Sequence, residues 1–445
     1  MHKALSKYLF YLPATYLRGE HVLGLLPEKR KNAYLSPDAL ANYQTRRLRS
    51  ILQTAAAHST HYADLPVASM PSNESKNSEF FDWFKTVPNL TKQDLINYPS
   101  RLRTRINRRV SSKTTGGSTG EPVRLWKNAD ALAHERSATW RAYEWANVSI
   151  GDPQLRFWGI PLAQSDQRAA SVIDLIANRR RISAFDLTEA AMAGHYETMM
   201  NFRPAYLYGY ASVIYAFAEF IGNQGLPTPK SLRSIITTSE VLSDNARRVI
   251  ESTFSLRVFN EYGCGEVGSI AHECSEGRMH VMADNVYLEI DSSDGGIGEI
   301  IVTDLHNTEM PIIRYRLGDF ASWSSETCPC GVSLPTLRGI YGRAYDTVVT
   351  TDGRRMHPES VMYIFESLQT KTKAFRHFQA VQKAADRFEV LVVPTDSWSK
   401  DTELSLKAMI CEHISNDIST DIRIVDSIKR EKSGKIRVVK SEVSG

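Results

Sequence analysis

Ten consecutive residues, Lys113 to Pro122, bring together the groups that bind phosphate in proteins. The sequence Lys-Thr-Thr-Gly-Gly-Ser-Thr-Gly-Glu-Pro contains three glycines and four hydroxyl residues. Glycine lets the backbone approach a ligand closely, and the N–H and O–H donors around it suit a polyphosphate. Alternating apolar residues on both sides predict flanking strands, whereas a Walker-type loop leads directly into a helix. A flexible linker is the alternative to a phosphate loop.

Two motifs with a carboxylate follow further along the chain. Residues 262–266 read Tyr-Gly-Cys-Gly-Glu and come after an apolar strand predicted at 257–259. A carboxylate at a strand end near bound phosphates is a natural Mg²⁺ ligand, and the Tyr262 ring could pack on a purine. Asp319 follows a glycine that predicts a turn, and its carboxylate could accept two hydrogen bonds from a ribose. An ordinary surface turn is the alternative in both cases.

Three cysteines and one histidine suggest a structural zinc site. Residues 328–331 read Cys-Pro-Cys-Gly and supply two thiolates on a tight turn. Cys274 and a histidine, either His280 or His272, lie about fifty residues earlier. Three thiolates and one imidazole complete a tetrahedral Zn²⁺ site with no open position, which indicates a structural role rather than a catalytic one. Four unrelated reduced residues are the alternative.

The composition describes an ordinary globular protein of two or three domains. The chain has 445 residues, of which 42% are hydrophobic, and its formal net charge of +4 favours neither nucleic acid nor membrane as a partner. Five cysteines, an odd number in a long chain, indicate a reducing compartment. The apolar stretch 8–16 is too short to span a bilayer and contains Pro13, which is expected to interrupt it. We expect a helix packed on the body of a cytoplasmic protein, with a peripheral membrane contact as the alternative.

Apolar periodicity divides the chain into three parts and predicts an α/β fold. Residues 1–100 are mainly helical, and a capped short helix is expected within 90–95. In residues 101–344, apolar strands alternate with helices, which predicts a parallel-rich sheet with helical crossovers. Residues 345–445 form a small α+β domain. The strands predicted in the middle part are 155–160, 207–208, 234–238, 257–259 and 299–303.

The glycine-rich motifs fall at strand ends, where ligands bind in parallel sheets. Two aromatic segments, 157–160 and 206–212, also end predicted strands. Their side chains could line a pocket for an aryl or small apolar acid. The alternative is that they belong to the hydrophobic core.

The order of these motifs resembles that of the adenylate-forming superfamily, which contains the acyl- and aryl-CoA ligases, the peptide-synthetase adenylation domains and the luciferases. The phosphate loop, Tyr-Gly-x-x-Glu, Arg-Tyr-Arg-x-Gly-Asp, Gly-Arg and Ser-Gly-Lys occur in the same sequence and spacing. The Thr-x-Gly-Ser-Thr-Gly-x-Pro form of the loop, the Cys-Pro-Cys-Gly insertion and the helical leader resemble the phenylacetate–CoA ligase-like branch, including members associated with capsular polysaccharide synthesis. The resemblance covers nearly the whole chain and implies a mobile C-terminal domain.

The resemblance also implies a role for each matching residue. Glu266 would bind Mg²⁺, Asp319 the ribose, and Arg343 the ribose and phosphate, while Lys435 would reach the reacting carboxylate and α-phosphate. His280 rather than His272 would join Cys274, Cys328 and Cys330 on zinc. Two positions depart from the family pattern: Glu121, where many relatives have lysine, and Tyr345, which replaces an acidic hinge residue. The residues that would hold the nucleotide are Thr115, Gly117, Ser118, Thr119, Gly120, Thr238, Ser239, Glu240, Tyr262 and Gly263.

The implied activity is ATP- and Mg²⁺-dependent activation of a carboxylic acid as an acyl-adenylate, with release of pyrophosphate and transfer of the acyl group. CoA is the default acceptor, and a carrier thiol or a sugar amine is the alternative. Because carboxylate attack on an α-phosphate brings like charges together, the chemistry requires cations such as Lys435. A solvated basic tail is the alternative for the segment 432–437.

Two rivals come from other classes of protein. One is a non-catalytic, zinc-stabilised binding module, and the other is a nucleic-acid-binding zinc protein. The second is weakened by the lack of a basic cluster around the cysteines. The sequence leaves the acid, the acceptor and the choice between monomer and homodimer open.

Overall fold

The computed structural model describes residues 1–115, 123–158, 171–184, 188–292, 295–343, 348–351, 355–356, 358–429 and 438–443. The chain divides into two units. The first comprises residues 1–317 and 322–339, and the second comprises residues 318–321 and 340–445.

Within the described residues, eleven strands form one large sheet in the order β10-β11-β12-β13-β9-β8-β7-β6-β5-β3-β4. A separate hairpin, β1 with β2, carries the predicted phosphate loop between its strands. The strands are β1 (Val110–Thr115), β2 (Val123–Asn128), β3 (Gln154–Trp158), β4 (Arg179–Ser183), β5 (Tyr206–Tyr210), β6 (Ser234–Thr238), β7 (Val258–Cys264), β8 (Gly268–Glu273), β9 (Met279–Val281), β10 (Val286–Asp291), β11 (Gly298–Asp304), β12 (Tyr315–Trp323) and β13 (Thr336–Arg343).

The predicted parallel arrangement is confirmed for one half of this sheet. Strands β4, β3, β5, β6 and β7 pair in parallel. Beyond β7, the pairs β7–β8, β8–β9, β9–β13 and β10–β11 are antiparallel, so the sheet is mixed. The difference arises because short turns, which cannot make a parallel crossover, connect strands such as β7 and β8.

The helices cover the sheet and form the predicted helical leader. The inner face of the crossover helix between β5 and β6 buries Val213, Ile214 and Phe217 on the sheet. The helices are α1 (Lys3–Leu5), a π-helical turn (Ser6–Tyr11), α2 (Leu12–Leu17), α3 (Val22–Asn32), α4 (Pro37–His58), α5 (Asn77–Phe84), α6 (Lys92–Asn97), α7 (Pro99–Leu102), α8 (Ala129–Trp145), α9 (171–176), α10 (Glu189–Phe202), α11 (Ala211–Asn223) and α12 (Asp244–Phe254). None of the described helices is long and apolar enough to cross a membrane.

The short helix expected within 90–95 is α6, and its start is capped as predicted. The Thr91 hydroxyl accepts a hydrogen bond from the Asp94 backbone N–H, and the Asp94 carboxylate accepts one from the Thr91 N–H. This reciprocal arrangement satisfies two backbone donors that the first turn of a helix leaves without partners.

The apolar stretch 8–16 lies in a helix, as expected, and Pro13 lies inside that helix. The chain remains helical from Lys3 to Leu17, and Pro13 occupies the first turn of α2. Proline lacks only a donor that this turn leaves unused, and the π-helical turn before it changes the local register.

The leader is fixed to the core by a buried ionic cluster around Asp284. Lys29 on α3 donates to the Asp284 backbone carbonyl at 2.6 Å, and its ammonium lies 3.3 Å from the carboxylate. Arg141 on α8 lies 3.0 Å from the same carboxylate, and Asn32 also donates to it. Burial lowers the pKa of Lys29 to about 8, whereas the cations lower the pKa of Asp284 to about 2 against the effect of burial.

The second unit contains its own sheet and core. Four strands pair in the order β18-β17-β16-β19, and α13 and α14 bury Phe365, Leu368 and Leu406 against that sheet. Its elements are β14 (Val348–Val349), β15 (Arg355–Met356), α13 (Pro358–Thr372), β16 (Phe375–Ala384), β17 (Arg387–Pro394), α14 (Lys400–His413), β18 (Ser419–Ile424) and β19 (Val439–Ser441).

Candidate active site and metal centre

The predicted nucleotide residues Ser239 and Glu240 lie at the carboxyl end of β6. Ser239 has a left-handed backbone with φ of +68°, which turns the chain sharply out of the strand. The Glu240 carboxylate accepts a hydrogen bond from the Ser212 backbone N–H at 2.8 Å, beside the start of α11. A negative charge is favourable there because the first N–H groups of a helix have no helical partners. Glu240 therefore connects the ends of two adjacent parallel strands.

Tyr262 and Gly263 lie on β7, where the strand bulges against β8. The register shifts between the pairs Tyr262–Ala271 and Gly263–Ser269. A side chain at position 263 has no room, because an added Cβ would lie 2.5 Å from the Gly268 carbonyl oxygen. The bulge and the glycine together allow the two backbones to approach closely.

Glu266 lies in the turn between β7 and β8 and is half-buried. The Tyr315 hydroxyl is 3.5 Å from its carboxylate, a long contact. The next residue, Val267, accepts a hydrogen bond from the Lys127 ammonium at 2.8 Å, which holds the turn against β2. Glu266 is thus a half-buried carboxylate on a turn that Lys127 holds in place.

Sequence reasoning missed the cation that supports this turn. The buried Lys127 ammonium lies 2.7 Å from Glu135 and 3.2 Å from Asp304. Burial opposes its charge, but the two carboxylates outweigh burial and raise the pKa of Lys127. The signal in the sequence was the position of this lysine in the strand Val-Arg-Leu-Trp-Lys-Asn, on the same side of the strand as the valine and the leucine. A lysine that is buried on that side requires carboxylate partners.

Asp319 does not lie in a turn, contrary to the sequence interpretation. Gly318 and Asp319 both lie within β12, where Gly318 has φ of +79° and Asp319 is buried. These two residues belong to the second unit. The glycine therefore marks an irregularity inside a strand rather than its end.

For several predicted site residues the structure describes the backbone alone, and others lie outside the described ranges. Thr115 ends β1 and Arg343 ends β13, but only their backbone positions are described. The residues outside the described ranges are Gly117, Ser118, Thr119, Gly120, Glu121, Tyr345 and Lys435.

The aromatic segments predicted to form either a pocket or core divide between the two faces of the sheet. Phe157 and Leu207 are fully buried in the core under α11 and α12. On the opposite face Trp158 stacks on Tyr208, with ring centroids 5.9 Å apart. The Arg156 guanidinium lies over both of these rings, 4.5 Å from Trp158 and 4.9 Å from Tyr208.

Glu261 adjoins this aromatic face and was also missed from the sequence. It pairs in register with Thr238, and its carboxylate accepts a hydrogen bond from the Tyr143 hydroxyl at 2.8 Å. Burial raises the pKa of Glu261 to about 7, although the hydrogen bonds from Tyr143 and Tyr208 and the charge of Arg156 oppose the shift. Clustered titratable groups with shifted pKa values at a strand end are typical of functional sites.

The predicted zinc ligands Cys274, His280, Cys328 and Cys330 come together in the structure. Their ligand atoms all lie within 4.8 Å of one another. Cys274 and Cys328 have sulfur atoms 3.6 Å apart, and the Cys330 sulfur is 3.4 Å from His280 Nε2. Sulfurs bound tetrahedrally at about 2.3 Å from Zn²⁺ lie about 3.8 Å apart, so the cluster fits this ion.

The surroundings of the cluster suit a metal as well. His280 Nδ1 is 2.8 Å from the Leu334 carbonyl oxygen, which turns Nε2 toward the cysteines. Burial opposes ionisation of Cys274, but hydrogen bonds from His280 and the backbone lower the pKa of its thiol. His272 stands opposite His280 in the β8–β9 register, but its Nε2 lies 2.6 Å from the Ser269 hydroxyl. The geometry therefore selects His280 over its competitor.

Cys264 lies inside the predicted nucleotide motif, but its surroundings are not those of a nucleophile. Burial raises the pKa of its thiol far above the usual range, and the Glu266 carboxylate adds to this effect. A thiol that stays protonated at neutral pH is a poor nucleophile.

Comparison with known proteins supports the interpretation of these motifs. Residues 348–442 match the CapK C-terminal domain family. Protein CapK of Staphylococcus aureus is 24% identical over 249 residues, which cover 54% of each chain. Phenylacetate-coenzyme A ligase of Thermus thermophilus is 25% identical over 195 residues, 41% of this chain and 43% of the relative. The chain thus spans about half the length of the curated relatives it matches.

The solved structures extend the match to most of the chain. A 2-hydroxyisobutyryl-CoA ligase in complex with 2-HIB-AMP superimposes with a TM-score of 0.70 over 90% of this chain and 89% of the ligase, at 19% identity. The amide bond synthetase McbA from Marinactinospora thermotolerans has a TM-score of 0.51 over 73% of this chain and 66% of its own, at 16% identity. The chain has the fold of the adenylate-forming superfamily. Its sequence relatives fit the phenylacetate–CoA ligase-like branch of that superfamily, as the motifs predicted.

Proposed function

We propose that this protein activates a carboxylic acid with ATP and Mg²⁺ to an acyl-adenylate, releases pyrophosphate and transfers the acyl group to CoA. The observation that carries the proposal is the position of the motif residues at the ends of adjacent strands. Ser239 and Glu240 follow β6, while Tyr262 and Glu266 lie at the end of β7 and in the turn after it. Ligands bind at such strand ends in parallel sheets, and the fold neighbours include a ligase that holds an acyl-adenylate.

In this proposal the carboxylate of Glu266 binds Mg²⁺ beside the ATP phosphates, and the metal neutralises charge as the acid attacks the α-phosphate. Tyr262 packs on adenine, Asp319 holds the ribose, and Arg343 and Lys435 supply the cations. Lys127 fixes the turn that carries Glu266. The three cysteines and His280 bind a structural Zn²⁺, and the cluster has no place for a substrate.

An amine is the second candidate acceptor. The observation that favours it is the fold similarity to McbA, which is an amide bond synthetase. Both acceptors attack the same acyl-adenylate, so the first half-reaction is common to the two candidates.

Exchange of labelled pyrophosphate into ATP tests the proposal. A panel of aryl, short aliphatic and hydroxy acids should contain at least one acid that stimulates exchange in the presence of Mg²⁺. Acyl-CoA formation or amide formation with that acid then identifies the acceptor. Absence of exchange across the whole panel would favour the non-catalytic binding module.

A further inference from the structure

The first helix of the chain presents an apolar stripe to solvent. Large hydrophobic side chains occur at positions 5, 8, 9, 16 and 17 of this helix, which runs from Lys3 to Leu17 and contains a π-helical turn. All five are exposed, with Leu9 at 63% and Leu17 at 77%, and Phe10 beside them is exposed as well. In a soluble helix the outward side is normally polar, so this stripe is unusual.

The inner side of the first helix is packed against the body of the large unit, and this packing holds the apolar stripe in place. Tyr11 and Leu12 are buried, and the Tyr11 hydroxyl accepts a hydrogen bond from the Trp140 indole at 2.7 Å. Gly151 packs so tightly on the first turn that an added Cβ would lie 2.4 Å from the Lys3 carbonyl oxygen. The outward side chains are therefore displayed by a fixed helix rather than by a loose end.

A second exposed apolar segment adjoins the first. Val172, Ile173 and Leu175 on α9 are all exposed. The Ser6 hydroxyl donates to the Ile176 carbonyl at 3.3 Å, and the Asn178 amide donates to the Met1 carbonyl at 3.0 Å. The first bond joins α9 to the first helix, and the second joins the turn after α9 to the segment before the first helix. The stripe and the three α9 side chains together are called the apolar face below.

The segments that form the apolar face carry mostly positive charge. Residues 1–19 and 171–184 contain six lysines and arginines but one acidic residue, Asp174. Four of the six cations are paired: Arg179 and Arg181 with Asp174, Lys3 with Asp152, and Arg18 with Glu20. Among the described residues, Lys7 and Arg180 have no ion-pair partner, and the Lys7 ammonium lies over the Tyr8 ring. In the part of the chain that the structure describes, the two segments thus carry two cations without an ion-pair partner, Lys7 and Arg180, and their one acidic residue is paired.

We propose that the apolar face binds the surface of a membrane that contains anionic phospholipids. A helix with an apolar side, tyrosines and flanking cations lies in the plane of such an interface, where rings sit at headgroup level and cations meet lipid phosphates. Exposed apolar side chains in such number commonly mark an interaction site on a protein. The positive charge selects the anionic bilayer over a second copy of the chain, which would bring like charges together. This surface is independent of the proposed ligase chemistry.

Vesicle flotation of the full-length protein tests the proposal. We expect binding to vesicles of phosphatidylcholine with phosphatidylglycerol, weaker binding to phosphatidylcholine alone, and loss of the difference at high salt. Leu9→Ser with Leu17→Ser should lower binding at least about tenfold, because two leucines no longer enter the apolar layer. Leu404→Ser is the matched control, since Leu404 is 57% exposed on α14 and lies outside the apolar face.

Three results would overturn the proposal. The first is absence of binding by the unaltered protein, and the second is equal binding by the double variant when circular dichroism shows that it is folded. The third is a wild-type dimer in sedimentation that becomes monomeric in the double variant, without vesicle binding by either protein. That last result would assign the face to a second copy of the chain.

Discussion

A single carboxylate, Glu266, carries the proposed magnesium contact. Glu266→Gln keeps the shape of the side chain and removes the charge that attracts the metal. We expect acid-dependent pyrophosphate exchange to fall by at least about a hundredfold, the scale of losing one strong electrostatic contact in a transition state. Glu197→Gln is the control, because Glu197 is an exposed glutamate on α10. Near-normal exchange in Glu266→Gln would place the metal ligand elsewhere.

The cysteine cluster gives a prediction that needs no substrate. Elemental analysis of the purified protein should find about one Zn²⁺ per chain. Cys330→Ser should lose the metal and unfold at a lower temperature, because the binding free energy of a structural metal contributes to folding. Cys411→Ser is the matched control, since Cys411 is half-buried on α14 and belongs to no metal cluster among the described residues. Protein without zinc, or equal zinc in both variants, would contradict the prediction.

Glu261 predicts a pH dependence of stability. Its pKa in the folded chain is about 7, against an ordinary value of 4.5. Between these values the folded state keeps a proton that the unfolded state has released, so the free energy of unfolding falls as the pH rises. The groups that face this carboxylate are Tyr143, Tyr208, Arg156 and, at longer range, Glu135.

Glu261→Gln removes this pH-dependent contribution to the free energy of unfolding. We expect the variant to gain stability relative to the unaltered chain between about pH 5 and about pH 8, by an amount on the order of a few kcal/mol. Urea unfolding at both pH values measures the difference. Parallel curves for the two proteins across this range would show that Glu261 has an ordinary pKa, and Glu197→Gln should give such parallel curves.

At the scale of elements, the close pairing of β7 with β8 requires a glycine at position 263. Gly263→Ala would place a methyl group 2.5 Å from the Gly268 carbonyl oxygen, and neither backbone can move freely. We expect a lower melting temperature together with loss of exchange activity, because the shifted turn carries Glu266. Gly194→Ala is the control: it lies inside α10 with nothing within 4 Å of an added Cβ. That change should be neutral or stabilising by roughly 0.5–1 kcal/mol, and equal effects of the two changes would contradict the prediction.

Local patterns predicted the strands well and their pairing only in part. The strand expected at 234–238 is β6 itself, and 299–303 falls inside β11, because short apolar runs between turn residues identify buried strands. The antiparallel half was not predictable, since β13 pairs with β9 across more than fifty residues of chain. Asp319 was placed in a turn because glycine is common in turns, whereas here it interrupts a strand.

Candidate ligands were easier to predict than the residues that support them. The cysteine spacing and the family resemblance gave the four candidate zinc ligands, and the structure groups His280 rather than His272 with the cysteines. Lys127 and Glu261 were missed because their importance depends on burial and on partners from distant strands. A single sequence does not display either property.

At the scale of the whole molecule, Lys435 tests whether the C-terminal domain alternates between two states. The family resemblance assigns this residue to adenylate formation, so it should stabilise only the first transition state. We expect Lys435→Ala to slow pyrophosphate exchange severely. The same variant should transfer the acyl group almost normally when it is supplied with the presynthesised adenylate.

Comparing the two half-reactions separates three explanations. Equal loss in both would make Lys435 a structural residue or show that the domain does not alternate. Loss in neither would mean that segment 432–437 is a solvated basic tail. Lys429→Ala is the control, because it removes the same charge from the preceding part of the chain.

The ionic cluster around Asp284 limits how the protein can be recombined or shortened. Lys29 and Asn32 come from the leader, whereas Arg141 and Asp284 come from the body of the large unit. Deleting the leader would leave the buried Asp284 carboxylate with Arg141 as the one remaining partner of these three, and breaking a buried ion pair costs about 3–5 kcal/mol. The leader and the body of the large unit therefore have to be compatible at this cluster. A chimera that exchanges leaders between homologues must carry residues that match position 284.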